Sequence, residues 1–534
     1  MALACCCLLM VVAVALQRTA TPAPLPCRPL FADFAACLVS GWLFALTFCL
    51  SGRPLLALAL AAAMLLGLRA VNAAKMRALR GEPLVITDLA LAWQVLRFPQ
   101  LYVPFLPRSL FWGCVVGAVL LTSLCLATEG IRVLPVWWLA AMTPLLVYAL
   151  LRSPFGDGLA KSLLAVLPVD FAPSADAQRY GPLGAALLHA VWHLAGRCGQ
   201  GVRQGIERPA VSPPWPASVL RSDTICRCGR HLPHIFLVQA ESFCDPRPFS
   251  SAVPQDVLAT WDELCAQGMS GSLGISAFGA YTMRTEYAIL SGQPASTLGS
   301  DAFHPYLGAA RYPTWSLVWH LRSLGYRTVC IHPFYREFFY RHKAIPHLGF
   351  EKFLSLENFP NKETCGPYVS DACVARAMLD LLDASEATEP VFCFAISMEN
   401  HGPWLPGRLQ KAQTSARSES PFGAHSLLTS AQSAAPEAEL KTAYAIPGLD
   451  PATCRYLVHL RHADAMLGML RDGLRQAGRP AVLGWYGDHL PNLPALVPQG
   501  ARATPYVLWR TDTMKARRRD MLPEELGGYL LSPL

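Results

Sequence analysis

The feature that most limits this chain is where its apolar residues lie. They crowd into the first 151 positions as five stretches: Ala2–Leu16, Cys37–Leu50, Leu55–Leu68, Leu110–Ala127 and Leu134–Leu151. A helix that crosses a bilayer takes roughly 17–25 apolar residues. The last two stretches qualify outright. The second and third qualify with their flanks and share the turn Ser51-Gly52-Arg53-Pro54. The first is short. It has no Lys or Arg ahead of its apolar core, so it reads as a first membrane anchor rather than a cleaved signal. Over the whole chain 53% of residues are hydrophobic and 15% charged, which excludes a disordered chain, a coiled coil and a nucleic-acid-coating protein. The net charge of +8 suits Lys and Arg gathered beside membrane spans, with no nucleic-acid partner.

Charge and span count pull the topology in opposite directions. With five spans and a cytoplasmic N-terminus, everything after Leu151 lies outside the cytoplasm. So does the loop from Ala73 to Ser109, with Lys75, Arg77, Arg80, Arg97 and Arg108. The positive-inside tendency would place that loop in the cytoplasm. Residues 152–232 are rich in Pro, Gly, Ala and Arg and read as a linker, with Leu183–Leu194 able to form a helix. From 233 to 534 short apolar runs alternate with amphipathic helices, the pattern of an α/β domain on a largely parallel sheet. Residues 405–451, rich in Ser, Ala, Gln and Pro, read as a disordered surface insertion. The fold class expected is therefore an α-helical transmembrane N-terminal region plus an α/β C-terminal domain. The 18 cysteines read mostly as free buried thiols, and Cys226-Arg-Cys228 with His231 and His234 fits no standard zinc spacing.

Four apolar runs read as buried strands: His234–Ala240, Arg327–Ile331, Val391–Ile396 and Ala481–Trp485. Each runs into polar residues: Glu241-Ser242, His332, Glu399-Asn400-His401 and Gly487-Asp488-His489. In open α/β sheets the crevice at the carboxyl ends of the strands holds the site. Glu241, Asp488 and His489 are suitable ligands for a divalent cation and leave a coordination position open. Thr282 stands ahead of a helical run through Leu290. Thr at that place is a good N-cap, with Thr285 and Glu286 in the first turn. It is equally a candidate nucleophile, activated by a metal and aided by the anion-binding helix N-terminus.

Taken in order, Glu-Ser-Phe, Thr-x-x-Thr-Glu-Tyr, Asn-His-x-Pro and Gly-Asp-His resemble the lipoteichoic acid synthases and their phosphoglycerol transferase relatives, in the alkaline phosphatase and sulfatase superfamily. The likeness covers about His234–Trp509, and more loosely the five-span region. It implies a sulfatase-like catalytic domain with Thr282 as nucleophile. It also implies one divalent metal, Mn2+ or else Mg2+ or Zn2+, on Glu241, Thr282, Asp488 and His489. His401 would bind phosphate. The family's Trp-x-Arg grip on glycerol phosphate falls on Phe339-Tyr340-Arg341, with His332 upstream and Phe in place of Trp. The partners implied are a phospholipid donor, phosphatidylglycerol, and a glycan acceptor. The location implied is the inner membrane of a Gram-negative cell, multi-pass, with the catalytic domain in the periplasm. The alternatives are phosphoethanolamine transfer, a sulfatase using Cys244-Asp245-Pro246-Arg247-Pro248, and a non-enzymatic membrane scaffold with a degenerate domain.

Overall fold

The computed structural model describes residues 1–98, 108–132, 135–195, 232–275, 281–360, 363–383, 389–409, 445–498, 500–512 and 515–531. The chain divides into two compact units. The first comprises Met1–Glu207 and Leu298–Phe303, the second Arg208–Thr297 and His304–Leu534.

The first unit is helical. Its apolar stretches form the helices Ala2–Arg18, Phe31–Ser51, Pro54–Ala78, Arg108–Thr128 and Val136–Leu151. Ala36, Ala45, Ala57 and Ala61 have no exposed surface, small residues of the second and third helices that let neighbouring helices approach closely. Gly52, at φ +65, ends the second helix, and Pro54 opens the third. The Glu129 carboxylate accepts from the backbone N–H of Leu55 (2.8 Å) and Leu56 (2.9 Å), capping that third helix from a distant part of the chain. Leu38, Leu50, Leu60 and Leu66 are left exposed, an apolar exterior that suits lipid.

On length and composition, Phe31–Ser51 and Pro54–Ala78 can each cross a bilayer. The bent pair Val136–Leu151 and Gly156–Val166, turned by 103°, would make a third span if it acts as one. Among the described residues two or three spans are thus supported, of the five expected. At 1.5 Å per residue, Ala2–Arg18 and Val136–Leu151 alone reach only about 24–26 Å, short of a hydrocarbon core of about 30 Å, whereas the 21 residues of Arg108–Thr128 are long enough. The segment read as a linker is largely helical as far as it is described, through Gly156–Val166 and Pro173–Ala195. Gly181, non-helical at φ +70, and Pro182 divide the second of these into two helical pieces. Residues 196–231, including Cys226, Cys228 and His231, and residues 410–444 of the expected insertion, lie outside the described residues.

The second unit is built on an eight-stranded sheet. Its strands are β1 (His234–Ala240), β2 (Met269–Gly274), β3 (Arg327–Ile331), β4 (Lys352–Leu354), β7 (Val391–Ile396), β8 (Ala481–Gly487), β9 (Ala503–Arg510) and β10 (Arg517–Arg518). The short strands β5 (Thr364–Cys365) and β6 (Tyr368–Val369) form a separate hairpin. The sheet order is β10-β2-β9-β8-β1-β7-β3-β4, and only β9 runs antiparallel to its neighbours. Every residue of β1, β7 and β8 is buried, as expected of parallel strands covered on both faces. The long helix Pro451–Gln476 starts on an Asp450 cap and a Pro at its first turn. It buries Leu460, Leu467, Leu470 and Leu474 in the sheet's core.

Candidate active site

Strand register brings the candidate ligands together. Ala240 of β1 pairs with Gly487 of β8, so Glu241 and Asp488 leave neighbouring parallel strands side by side. Only glycine fits at position 487, because a Cβ there would sit 2.1 Å from the Phe243 carbonyl oxygen. Ser242 turns sharply at φ +53. Its N–H donates to Asp488 Oδ1 (2.8 Å) and its hydroxyl to Glu241 Oε1 (2.9 Å). His489 Nε2 lies 3.4 Å from both Glu241 Oε1 and Asp488 Oδ2. All three side chains are buried.

Such a group brings two carboxylates together out of water. Burial, and then the Asp488 charge, push the Glu241 carboxyl well above the usual carboxylate range. Asp488 Oδ2 is buried and accepts no hydrogen bond. Two carboxylates and an imidazole, with donor atoms within 4.8 Å of one another, fit a divalent cation. Such a cation would neutralise the pair and satisfy the orphaned oxygen.

Thr282 is not the N-cap that its position suggested. Tyr281, left-handed at φ +61, occupies the cap of helix Thr282–Ser291, and Thr282 is the helix's first residue. Its hydroxyl accepts instead from Arg341 Nη2 at 3.0 Å. Thr285 donates to the Asp488 backbone carbonyl (3.0 Å), pinning this helix to the loop that carries the carboxylate. The helix N-terminus thus supplies backbone donors beside Thr282.

Arg341 is wholly buried and ion-paired to Glu286, which is also buried. Burial works against the guanidinium, but Glu286 more than restores it, and Arg341 stays above its ordinary pKa. Glu286 accepts further from Tyr306 (2.8 Å) and Gln239 (3.0 Å), and Gln239 in turn accepts from Tyr486 (2.8 Å). His332 sits behind Arg341. A carbonyl can only accept, so its Nδ1–H donates to Ile396 O (3.2 Å) and its Nε2 accepts from Arg341 Nη1 (3.3 Å). Burial and the Arg341 charge keep this imidazole neutral. Phe339 and Tyr340 are consecutive left-handed residues ahead of Arg341. Four of the six non-glycine residues with positive φ among those described, Ser242, Tyr281, Phe339 and Tyr340, therefore border this site, where strained backbone is common. The Phe339 ring lies against Tyr281 (6.5 Å between centroids) and under the Arg341 guanidinium (5.3 Å).

His401 follows β7. Its Nδ1 donates to Gly402 O at 2.7 Å, and burial lowers its pKa to about 4. Its electrostatic neighbours include His489 and His332. The structure thus gathers Glu241, Asp488 and His489 in one cluster, and Thr282, Arg341, His332 and Phe339 in another. The Thr285 hydrogen bond joins the two. Glu286 went unread as a partner of Arg341, although it stands four residues after Thr282. His304, buried against Phe339 (5.7 Å) with neither ring nitrogen hydrogen-bonded, carried no sequence signal at all. The sulfatase alternative's Cys244 lies in the hydrophobic core against the Tyr456 hydroxyl (3.1 Å), and burial pushes its thiol up to about 12.

Residues 233–523 match the sulfatase family profile. The chain is 31% identical over 466 residues to the capsular polysaccharide biosynthesis protein RkpI of Rhizobium meliloti, covering 84% of this chain and 76% of that one. It is 28% identical over 265 residues to a putative cyclic beta-1,2-glucan modification protein of the same organism, covering 49% of this chain and 36% of that one. The integral membrane lipooligosaccharide phosphoethanolamine transferase A of Neisseria meningitidis has a similar fold, with a TM-score of 0.51 at 11% identity over 99% of this chain and 94% of that one. With its α/β unit matched almost from end to end and a relative of this identity over most of its length, the chain belongs to the sulfatase family.

Proposed function

We propose that this membrane protein transfers phosphoglycerol from phosphatidylglycerol to a periplasmic or surface glycan, through an ester on Thr282. The observation that carries the reading is the Thr282 hydroxyl at a helix N-terminus, tied to the loop of a buried Glu-Asp-His cluster and held by a buried Arg341. Glu241, Asp488 and His489, with Thr282, would hold the divalent metal, which would supply Lewis-acid stabilisation of negative charge on oxygen. Thr282 Oγ1 bonds to phosphorus as the bond from phosphorus to the diacylglycerol oxygen breaks, and that oxygen takes up a proton. A glycan hydroxyl then displaces Thr282, which regains its proton. Arg341 and the helix N–H groups stabilise charge on the phosphoryl oxygens, and His401 would join them, as the motif resemblance implies. His332 holds the guanidinium in place.

Two guanidinium groups, Arg284 and Arg341, both act on the neutral His304 beside Phe339. The glycan acceptor is supported by the names of the two Rhizobium relatives, one of capsular polysaccharide biosynthesis and one of glucan modification. The test is to supply phosphatidylglycerol and phosphatidylethanolamine, each labelled in its headgroup, with membrane glycan. Label should pass from the glycerol lipid alone. Transfer from the ethanolamine lipid would replace this reading with the alternative.

Two further results are expected. Asp488→Asn and His489→Ala should each lose the metal of this cluster, as elemental analysis would show, because each removes a ligand. A periplasm-dependent phosphatase reporter fused after Pro154 should be active, and one in the Ser51–Pro54 turn inactive. Silence after Pro154 would place the catalytic unit in the cytoplasm, away from any surface glycan.

A further inference from the structure

We propose that Cys365, Glu399, His459 and His462 form a second metal centre, sharing no ligand with the Glu241-Asp488-His489 cluster, that binds a zinc-class divalent cation and fixes the loop carrying His401. The four come from three separate elements. Cys365 lies on the β5–β6 hairpin, Glu399 in the loop after β7, and the two histidines on the helix Pro451–Gln476. Histidines at i and i+3 share a helix face. His459 Nδ1 is 3.0 Å and His462 Nδ1 2.6 Å from Glu399 Oε1, and Cys365 Sγ is 3.9 Å from His459 Nδ1. All four donor atoms lie within 4.8 Å of one another. Ligands of tetrahedral zinc, at bond lengths of about 2.0–2.3 Å, stand roughly 3.3–3.7 Å apart, so the cluster needs only small adjustments to take the ion.

The donor types set the preference. A thiol with two imidazoles selects zinc over manganese or magnesium, which prefer oxygen. A plain hydrogen-bond network accounts for the carboxylate and the imidazoles, whereas the thiol's contacts to His459 Nδ1 and Arg408 O are long, at 3.9 Å each, and a thiolate–metal bond would be far stronger. The surroundings suit a ligand set. Glu399 Oε2 accepts from the Asp371 N–H at 2.8 Å, which fixes the carboxylate's orientation. Cys365, Glu399 and His459 are buried, while the His462 side chain is 44% exposed and offers the ion a way in. The link to the active site is direct. Arg408 donates to the backbone carbonyls of both Glu399 and His401, and Tyr368, on the same hairpin as Cys365, reaches His401 Nδ1 at 3.5 Å. An ion here would clamp the hairpin, the β7 loop and the long helix around His401.

The experiment strips the purified full-length protein in detergent with chelator and reloads it with Co2+ alone. A thiolate-to-cobalt charge-transfer band in the near ultraviolet is expected in wild type and equally in Asp488→Asn, because the Glu241-Asp488-His489 cluster contains no thiol. Cys365→Ser should abolish the band. As purified, before stripping, His462→Ala, at a half-exposed position that does not threaten folding, should carry one equivalent of zinc less than wild type by elemental analysis, while Asp488→Asn keeps that equivalent. A wild type without the band, a band that survives in Cys365→Ser, or zinc content unchanged in both Cys365→Ser and His462→Ala would overturn the proposal. Loss of metal from Asp488→Asn speaks only to the other cluster, so the two readings fail separately.

Discussion

Thr282→Ala should abolish phosphoglycerol transfer, with a loss on the order of 10³-fold or more, as expected when a nucleophile is removed. The fold should survive. Thr282 caps nothing, and the change costs Arg341 one acceptor, about 1–3 kcal/mol. Thermal melting in detergent would confirm that the variant is folded. Thr282→Ser keeps the oxygen and should keep measurable turnover. Near-normal activity in the alanine variant would remove Thr282 from the chemistry.

The second large effect is expected at Arg341. Its guanidinium and the Glu286 carboxylate are both fully buried. Removing one partner of such a pair leaves the other charge stranded, at a cost of about 3–5 kcal/mol. Arg341→Met should therefore lower the melting temperature markedly and also silence transfer, since Arg341 reaches Thr282 directly. Combining it with Glu286→Gln should recover much of the stability, because neither charge is then left alone. Activity should not return. Arg341→Lys separates charge from shape, since lysine keeps the charge but cannot bond Thr282, His332 and Glu286 together. Full activity in the lysine variant would show that only the charge matters.

The strands that frame the site are legible in the sequence itself. Strands β1, β3 and β7 lie where unbroken apolar runs placed them, and β8 runs only two residues longer, to Gly487. Buried parallel strands advertise themselves in this way. Strand β2, Met269–Gly274, reads Met-Ser-Gly-Ser-Leu-Gly and has no such run, so only its pairing with β9 reveals it. Of the helical stretch Pro173–Ala195 the sequence showed only the part after Gly181 and Pro182, as Leu183–Leu194, because the turn before that break carries no apolar run. Glu286 reads as an ordinary first-turn acid until the fold carries Arg341 to it across 55 residues of chain. The same holds for Cys365, Glu399, His459 and His462. On the sequence, the histidines are merely polar positions of an amphipathic helix, and their partners lie 60 residues or more away. Local pattern reports burial and strand ends well. It cannot report which distant side chains meet.

The central claim is a covalent ester on Thr282, and peptide mass spectrometry tests it most directly. Full-length protein is incubated with phosphatidylglycerol in detergent, without glycan acceptor, then quenched in acid and digested. The peptide containing Thr282 should gain the mass of one phosphoglycerol group. The gain should be absent in Thr282→Ala and should disappear from wild type when acceptor glycan is added. Turnover with no adduct on that peptide, or an adduct on another residue that persists in Thr282→Ala, would contradict the account.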